Sequence, residues 1–436
     1  MPLWPTTRQG GTFVRIEIIC TGDEVLTGKI VNTNFSYMTQ KLEDVGLSVV
    51  WGTTVGDDRS TLLSAFHLAA GRADIVIVNG GLGPTVDDLS QEIAAQAASV
   101  ELELHAGWLA TMEGFFTRRG RAMPPNNRKQ AMLPVGSEMV DNPIGTACGF
   151  ALDIGGARFF FTPGVPRELR RMLEEQIIPR LLARSGAPAT IRLKRYHGYG
   201  LGESHIDSLL QGIEDLDPTG GVKLGFRAHY PQIETKLTIR GTDAEDIQRK
   251  LAPVDAEIRE RLGNFIICED DQSLEGVVND ALAKVGGRLA VVETFTSGHI
   301  AMRLAHLPGA EAVFRRGLVA RERGQVFEAL GLPLHLDIGE YTEAVAAEVA
   351  AAAREQAGAS HALAVLIDLD EGADRMDLGG TIWVAVGRQG DTVVRRARIL
   401  GGREWIRLGA VEMGLDCMRR YMQGLPVIER TDFERR

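Results

Sequence analysis

Apolar runs alternate with helical patterns in the N-terminal part of the chain. The runs at 14–20, 47–54 and 73–79 are short and apolar enough to be strands, whereas 34–45 and 60–70 have the apolar spacing of helices. Such alternation predicts a mostly parallel sheet with helices on both faces, which is an α/β architecture. Because ligands bind these sheets beyond the carboxyl ends of the strands, functional residues are expected in the loops there.

Three loops leave predicted strands at that edge: 21–24, 80–88 and 162–168. The middle loop reads Gly-Gly-Leu-Gly-Pro-Thr-Val-Asp-Asp and precedes a predicted helix at 89–100. Glycines without Cβ atoms allow a ligand to approach the main chain, and free N–H groups at a helix start attract an anion such as phosphate. The loop therefore combines space for a phosphate with two carboxylates.

Thr85 and Asp88 in this loop also allow a purely structural interpretation. They have the spacing of a capping box, in which a hydroxyl and a carboxylate satisfy backbone N–H groups at a helix start. Such a cap would stabilise the helix by roughly 1 kcal/mol. It does not account for the three glycines or for Asp87, so a functional role of the loop is favoured.

Two further units are predicted after this region. Small and turn-forming residues at 184–188 indicate a domain boundary. A compact β-α-β-β-α unit follows, with these predicted elements: 190–196, 204–211, 222–228, 234–240 and 244–262. A third unit, from 273 to about 423, is predicted to contain two helices and three strands: 274–285, 343–356, and strands near Leu289, Leu363 and Ile382. The charged tail at 427–436 is expected to be frayed.

Length and composition narrow the class of protein. At 436 residues the chain is too long for one ordinary domain, and its 44% hydrophobic and 24% charged residues are normal for a globular protein. The net charge of −10 disfavours nucleic acid and membranes as partners, because binding to either needs basic surface. Four scattered cysteines without a Cys-x-x-Cys pair are expected to be buried free thiols. Neither residues 1–12 nor any other segment has a long apolar stretch, so a cytoplasmic location is expected.

Four ordered motifs resemble those of the competence/damage-inducible CinA family. They lie at 21–28 with Asn32 and Asn34 following, at 80–88, at 142–147 (Asn-Pro-Ile-Gly-Thr-Ala), and at 163–168 (Pro-Gly-Val-Pro-Arg-Glu). The resemblance implies three domains: a molybdenum-cofactor-biosynthesis-like three-layer α/β/α domain at 14–183, a small α+β KH-type linker domain at 189–268, and a C-terminal α/β amidase-like domain at 273–425. It also implies a homodimer.

For the first domain, the resemblance implies metal-dependent hydrolysis of the pyrophosphate bond of ADP-ribose, a fragment of NAD. A protein that binds molybdopterin or a nucleotide without turnover is the alternative. Hydrolysis of a phosphoanhydride requires stabilisation of negative charge and an activated water. Carboxylates can provide both by holding a hard divalent cation, since oxygen ligands suit Mg²⁺ or Mn²⁺. The expected cofactor is therefore a divalent cation: Mg²⁺, Mn²⁺ or Co²⁺.

The candidate site residues lie in the same motifs. Four carboxylates are predicted to be catalytic: Asp23, Glu24, Asp87 and Asp88. Asp87 and Asp88 are also the predicted metal ligands. The predicted substrate-binding residues are Gly22, Asn32, Asn34, Gly80, Gly81, Gly83, Thr85, Asn142, Gly145, Thr146, Pro163, Gly164 and Glu168. The amides of the three glycines at 80, 81 and 83 are expected to contact a phosphate of a small-molecule nucleotide.

Several of these residues also have structural interpretations. The acidic pair at 23–24 could be solvated turn residues, and the asparagines at 32, 34 and 142 could be turn or capping residues. Glu168 could serve only the dipole of a helix predicted at 168–176. Four clustered carboxylates nevertheless favour hydrolysis, because a simple anion-binding site gains little from added negative charge.

The third domain departs from the amidase pattern at its chemical centre. Where the resembled family has Glu-Ser-Cys-Thr-Gly-Gly, residues 293–298 read Glu-Thr-Phe-Thr-Ser-Gly, so Thr294 replaces the presumed serine nucleophile. The positions of the family's tyrosine and lysine fall on Arg321 and Val326, neither of which can accept a proton. Acidic residues at 366–371 replace a glycine-rich segment. We therefore expect a degenerate amidase domain. Deamidation of nicotinamide mononucleotide, the third candidate function, is disfavoured by the residues at these positions.

The middle domain could invite an assignment as an RNA-binding module. KH domains clamp single-stranded RNA with a glycine-containing loop. Here Gly198, Gly200 and Gly202 have no accompanying basic cluster. A linker or dimer contact is therefore expected, with no nucleic-acid partner.

Overall fold

The computed structural model describes four stretches of the chain: 14–185, 190–333, 339–370 and 378–435. The chain divides into two compact units, Met1–Arg192 and Leu193–Arg436. Residues 1–12, residues 186–188 of the predicted boundary segment, and Glu371 lie outside the described residues.

The N-terminal unit contains eight strands and seven α-helices among its described residues. The strands are β1 (Ile16–Thr21), β2 (Val49–Val55), β3 (Ile75–Asn79), β4 (Leu102–Leu104), β5 (Met132–Pro134), β6 (Glu138–Val140), β7 (Gly149–Ile154) and β8 (Ala157–Thr162). The helices are α1 (Asp23–Leu26), α2 (Thr33–Asp44), α3 (Arg59–Arg72), α4 (Ser90–Ala98), α5 (Ala106–Thr117), α6 (Pro166–Met172) and α7 (Ile178–Ser185). A 3₁₀ segment (Pro125–Ala131) precedes β5, and a π-helical turn (Leu173–Ile177) joins α6 to α7.

Six of these strands form one sheet in the order β2-β1-β3-β8-β7-β6, while β4 and β5 pair separately. The first four strands of that order are parallel, and β7 and β6 are added antiparallel. In the register, Cys20 lies beside Asn79 and Asn79 beside Thr162, so β1, β3 and β8 end level. The predicted, mostly parallel sheet is confirmed, and the loops after these three strands meet at one edge.

Helices cover both faces of this sheet. Phe159 and Phe161 of β8 belong to one core, which also contains residues of α3, α4 and α5. Phe160, between them, belongs to the opposite core, which contains residues of α2, α6 and α7. Successive side chains of a strand point to opposite faces, which is why three consecutive phenylalanines are divided between two cores. The expected three-layer α/β/α arrangement is therefore confirmed.

The next sheet has four strands in the order β10-β11-β9-β12. Its elements are β9 (Thr190–Tyr199), α8 (Glu203–Leu209), a 3₁₀ turn (Ile213–Leu216), β10 (Val222–His229), β11 (Gln232–Gly241), α9 (Ala244–Leu262), a second 3₁₀ turn (Gly263–Phe265) and β12 (Ile266–Glu269). The predicted β-α-β-β-α unit is confirmed, and the short strand β12 extends it. Helix α9 has the predicted bounds, because Asp243 accepts the N–H of Asp246 at its start and Gly263 ends it.

The last sheet has five strands in the order β14-β13-β15-β16-β17. The described elements are α10 (Leu274–Lys284), β13 (Leu289–Thr294), α11 (His299–Ala305), α12 (Ala310–Val313), β14 (Phe314–Ala320), α13 (Arg323–Leu330), α14 (Glu343–Ala357), β15 (His361–Leu369), β16 (Gly379–Arg388), β17 (Asp391–Leu400) and α15 (Arg403–Gln423). Strands β14, β13 and β15 are parallel, and β16 and β17 continue antiparallel. One core lies under α10, α11 and α15, the other under α13 and α14.

The C-terminal tail is not frayed over its described residues, so that expectation is wrong. Glu434 forms a bridge with Ile399, and its carboxylate pairs with the buried Arg395. Asp432 accepts the N–H of Gly202 at 2.8 Å. The charges of this segment therefore bind partners within the fold, which a composition rule for terminal segments does not anticipate.

All four cysteines are buried and unpaired, as predicted. No helix within the described stretches combines the length and the apolar character needed to cross a membrane.

Candidate functional site

A cleft of about 390 Å³ lies at the carboxyl ends of β1, β3 and β8. All three loops singled out in the sequence contribute to it. The lining residues are Thr21, Gly22, Glu24, Asp57, Gly80, Gly81, Leu82, Gly83, Pro84, Asp87, Asp88, Gln130, Thr146, Ala147, Pro163, Gly164, Val165 and Glu168. The topology therefore brings together the motifs at 21–28, 80–88, 142–147 and 163–168.

The first loop turns at Gly22, whose φ of 137° favours glycine, and continues into the single helical turn α1. Glu24 in this turn lines the cleft. Asp23 instead bonds to the loop after β2: its Oδ1 accepts the N–H of Asp57 at 3.2 Å, and Asp57 Oδ2 accepts the N–H of Asp23 at 3.1 Å. Gly56 allows this exchange, because a Cβ there would lie 2.4 Å from Asp23 Oδ1.

Asp57 is a lining carboxylate that the sequence interpretation missed. Partial burial raises its pKa, and the negative charges of Asp23, Glu24 and Asp87 raise it further. Its position could have been anticipated, since the loop after β2 leaves a parallel strand at the same sheet edge as the other three loops. Glu24, Asp57 and Asp87 line the cleft, and the neighbouring Asp23 adds a fourth negative charge that a bound cation could offset.

Gly80 opens the glycine loop directly after β3. Its N–H donates to the carbonyl of Thr162 at 2.9 Å, and its own carbonyl accepts the hydroxyl of Ser90. With φ of 115° and Thr21 Oγ1 only 2.4 Å from where a Cβ would lie, this position requires glycine. Contrary to the expectation, the Gly80 amide is therefore engaged within the fold, although the residue lines the cleft.

The Thr85 and Asp88 pair closes a turn before the helix and does not cap it. Asp88 Oδ2 accepts the Thr85 N–H at 2.8 Å and also the Thr85 hydroxyl. Helix α4 begins only at Ser90, with Leu89 at its N-cap. A Cβ at Gly83 would lie 2.3 Å from Asp88 Oδ2, so a larger residue there would displace this carboxylate.

Asp87, in contrast, is exposed at the cleft. The neighbouring Thr85 hydroxyl lowers the pKa of Asp87, and the positive charge of Lys129 acts in the same direction. Lys129 is held beside the loop by a 2.9 Å bond from Nζ to the Thr85 carbonyl. Asp87 is thus a carboxylate that remains ionised over the neutral pH range.

Asn32 and Asn34 serve the fold. Asn32 caps α2 by accepting the N–H of Phe35 at 3.0 Å. Asn34 Nδ2 donates to Asn79 Oδ1 at 2.9 Å and to the Gly164 carbonyl at 2.7 Å, which ties α2 to the loops after β3 and β8. Neither asparagine belongs to the lining of the cleft, so their structural interpretation is the one that the contacts favour.

Asn142 links the loop at 142–147 to Glu168 in α6. Its Oδ1 accepts the N–H groups of Gly145 and Ile144, and its Nδ2 donates to the Ala147 carbonyl at 2.9 Å and to Glu168 Oε2 at 2.8 Å. Glu168 lines the cleft from the first turn of α6. Sequence analysis named Asn142, Gly145 and Glu168, but the contact that joins them was visible only in the structure.

Two further polar residues of the lining, Thr21 and Gln130, were not predicted. The Thr21 hydroxyl is buried and has no hydrogen-bond partner among the described residues. Gln130 supports the glycine loop by donating to the Leu82 carbonyl at 3.1 Å. Thr21 was missed because it is the last residue of β1, and the strand assignment alone accounted for it.

No group of three or more His, Cys, Asp or Glu side chains in the described stretches is arranged to hold a metal ion. Any cation at the cleft would therefore take part of its coordination from a ligand or from water. Mg²⁺ binds in this manner to many phosphate substrates, with one or two protein carboxylates.

The three residues that the resemblance places at amidase positions contact other parts of the fold. Thr294 is buried, and its Oγ1 accepts the N–H of Ile367 at 2.9 Å. Val326 is fully buried in a hydrophobic core, and the exposed Arg321 lies over the Phe295 ring at 5.9 Å. None of these three side chains supplies a proton acceptor beside an accessible hydroxyl.

The acidic residues that replace the glycine-rich segment bind arginines. Asp368 accepts Arg323 at 2.8 Å and the N–H of Tyr341 at 2.8 Å, and burial raises its pKa. Asp370 forms a bidentate pair with Arg398. These contacts stabilise the strand ends and leave the two carboxylates committed to the fold.

Three family models match successive parts of the chain. The family model described as "Probable molybdopterin binding domain" matches residues 17–183, "Damage-inducible protein CinA KH domain" matches 194–267, and "CinA C-terminal domain" matches 271–422. Among solved structures, the protein CinA from Thermoplasma acidophilum is 32% identical, covering 38% of this chain and 96% of that chain with a TM-score of 0.35.

Two curated relatives are similar over nearly the whole chain. A CinA-like protein of Geotalea uraniireducens (strain Rf4) is 32% identical over 422 residues, which is 96% of this chain and 100% of the relative. A CinA-like protein of Anaeromyxobacter sp. (strain Fw109-5) is 37% identical over 409 residues, 93% of this chain and 98% of the relative. Because relatives of this identity align from end to end, the chain belongs to the CinA family.

Proposed function

We propose that the N-terminal unit hydrolyses the pyrophosphate bond of a nucleoside-diphosphate sugar of the ADP-ribose type, with a divalent cation. The observation that carries the proposal is the group of carboxylates whose charges act on Asp57 in the cleft. A diphosphate alone would be repelled by such a group. A cation between carboxylates and diphosphate removes that repulsion and stabilises the charge that develops during hydrolysis.

The residues present fit a cation that is shared with the substrate. Asp87 and Glu24 line the cleft and are the first candidates to hold it. Asp88, the second predicted ligand, uses Oδ2 to hold Thr85, so Oδ1 is the oxygen that it can offer. When bound, Mg²⁺, Mn²⁺ or Co²⁺ would polarise the phosphoryl oxygens. Gly81 and Gly83 provide space for the diphosphate beside these carboxylates.

The amidase-like domain has a different role in this proposal. Because Thr294 is buried and Val326 belongs to the core, neither position supplies the accessible nucleophile or the base of a deamidase. We propose that it serves assembly, with the protein acting as a homodimer on a small-molecule nucleotide. The dimer is tested by the mass of the full chain in light scattering. The missing deamidation is tested by ammonia release from nicotinamide mononucleotide, which we expect to be at the level of a blank.

Hydrolysis is tested with ADP-ribose and each of the three cations, by measuring AMP formation. We expect Asp87→Asn to lower kcat/KM by about 100-fold, since a lost charge-stabilising group commonly has an effect of this size. The matched control is Asp153→Asn, at an exposed strand position outside the cleft lining, which should retain wild-type activity. Full activity of a folded Asp87→Asn variant would contradict the assignment of this residue.

A binding protein without turnover is the second candidate. It is favoured by the lack of a ready three-ligand metal group among the described residues. In that case ADP-ribose or a pterin would raise the melting temperature, while no AMP would form with any cation. The same two measurements therefore separate the candidates.

A further inference from the structure

We propose that Glu168 is the proton acceptor for the water that attacks the diphosphate, and that Asn142 and Gly145 hold its carboxylate in position. The inference rests on the proposed hydrolysis and adds a division of labour within the cleft. The acidic residues around Asp57 attract the cation, whereas Glu168 removes a proton.

Asn142 is buried, and its orientation is fixed by its contacts. Two backbone N–H groups, from Gly145 at 3.1 Å and Ile144 at 3.4 Å, point at Oδ1. The amide nitrogen must therefore face the other way, where it donates to the Ala147 carbonyl and to Glu168 Oε2. All polar atoms of this side chain are used, and one of its contacts is the carboxylate that lines the cleft.

Gly145 supplies the space for that carboxylate. A Cβ at this position would lie 2.2 Å from Glu168 Oε2 and 2.3 Å from its Cδ. The carboxylate thus lies directly against the glycine main chain, in a place that any other residue would fill. Such a Cβ would also lie 2.6 Å from Asn142 Nδ2, so an alanine here would displace both the carboxylate and the amide that orients it.

Glu168 differs from the other acidic residues in what binds it. Asp23 and Asp57 accept each other's backbone N–H groups, and Asp88 accepts both polar hydrogens of Thr85. Glu168 accepts one hydrogen bond from a neutral amide and forms no ion pair with a described residue. A neutral donor orients a carboxylate without neutralising its charge, as an arginine or lysine would.

The other titratable groups that line the cleft are all acidic: Glu24, Asp57, Asp87 and Asp88. Those side chains are candidates for the cation, and none of them hydrogen-bonds to Glu168, whose donor is Asn142. The arrangement thus offers a base that is separate from the carboxylates occupied by the cation. Such separation keeps both functions available in the same step.

The reaction step balances without a further reactant. The water oxygen forms a bond to one phosphorus of the diphosphate, and Glu168 takes the proton that the water loses. The bond between that phosphorus and the bridging oxygen breaks, and its electron pair stays on the leaving phosphate. Two phosphate monoesters result, and Glu168 returns its proton to solvent or product.

The experiment compares full-length Glu168→Gln, Glu168→Asp and Gly145→Ala with wild type, using ADP-ribose and the cation that gives the highest rate. We expect Glu168→Gln to lower kcat about 100- to 1,000-fold with KM within about threefold, because a general base contributes on this scale to the chemical step. Glu168→Asp should retain an intermediate kcat. Gly145→Ala should also lower kcat at temperatures where the variant is folded, because it displaces the carboxylate and the Asn142 amide.

The control is Glu175→Gln, which removes an exposed carboxylate paired with Arg171 beyond the cleft. It should leave kcat and KM unchanged. A folded Glu168→Gln variant with kcat within threefold of wild type, or with its loss confined to KM, would overturn the role of Glu168 while the proposed hydrolysis stands. A kcat for Glu168→Gln equal to that of Glu168→Asp would overturn it too. If wild type forms no AMP with any cation, the proposed function itself fails, and this inference with it.

Discussion

Both the N-terminal cleft and the Glu293–Thr294 position of the C-terminal domain lie where central parallel strands end, but their polar side chains are used differently. At the end of β13, Thr294 accepts a backbone N–H of β15, and Glu293 accepts the Thr296 hydroxyl and two N–H groups of α11. At the ends of β1 and β3, Glu24 and Asp87 remain open to the cleft. Sequence position alone does not separate these cases. What separates them is whether the fold already satisfies each polar group.

The strongest test of this difference is Val326→Lys, which restores the residue type that the resemblance places at this position. Val326 is 0% exposed within a hydrophobic core, so a lysine there would bury a charge with no partner provided. We expect the free energy of unfolding of the C-terminal unit to fall by about 3–5 kcal/mol, the usual cost of an uncompensated buried charge. Urea unfolding followed by circular dichroism measures this change.

The matched control is Val319→Lys on β14, where the side chain is 49% exposed. A lysine at that position can reach solvent, so its effect should stay within about 0.5 kcal/mol. If Val326→Lys were equally harmless, this core would have room for a lysine, and the conclusion that position 326 is purely structural would be contradicted.

Glu293→Ala is expected to have the next largest effect. The buried carboxylate accepts the Thr296 hydroxyl at 2.6 Å and the N–H groups of Ile300 at 3.1 Å and Ala301 at 2.8 Å. Alanine would leave these donors without an acceptor, at an expected cost of about 3 kcal/mol in unfolding free energy. AMP formation from ADP-ribose should be unaffected at temperatures where the variant is folded.

An exposed glutamate of the same domain provides the comparison for Glu293. Glu328 lies on α13 with its side chain in solvent, so Glu328→Ala should change the free energy of unfolding by less than about 0.5 kcal/mol. Equal stabilities of the two alanine variants would show that the Glu293 contacts contribute little, and would weaken the view that this strand end has become structural.

The sequence predicted the positions of elements and loops better than the use of individual side chains. Helix α9 and the cleft-forming loops follow from local periodicity, from capping residues and from the geometry of parallel strands. The docked tail and the bond between Asn142 and Glu168 join residues far apart in sequence, which local patterns do not report. Asp57 was missed because its loop lacks a glycine-rich signature, although strand topology alone places it at the site.

Two adjacent aspartates give the finest form of the comparison. Asp57 faces the cleft, and burial with three neighbouring carboxylates raises its pKa. Asp58 caps α3, and bonds from the Ser60 hydroxyl and from Thr61 lower its pKa to about 2. The ionised carboxylate of Asp57 therefore destabilises the fold, whereas that of Asp58 stabilises the fold.

Asp57→Asn should accordingly have a small effect of a particular sign. A carboxyl whose folded pKa exceeds its unfolded value makes stability fall as the pH rises through that interval, so the ionised group is unfavourable at pH 7. Without metal, we expect the variant to melt at a higher temperature than wild type at pH 7, with the difference shrinking below about pH 4, near the model-peptide pKa of aspartate. Asp58→Asn should show the opposite sign at pH 7, since the stabilisation by a depressed pKa is present above the unfolded value.

The same variant tests metal binding at Asp57. Mn²⁺ should raise the melting temperature of wild type more than that of Asp57→Asn, because the negative charges that destabilise the metal-free fold attract the cation. Equal Mn²⁺ shifts in the two proteins would show that the charge of Asp57 does not contribute to cation binding, which would contradict the proposed role of the acidic residues in the cleft.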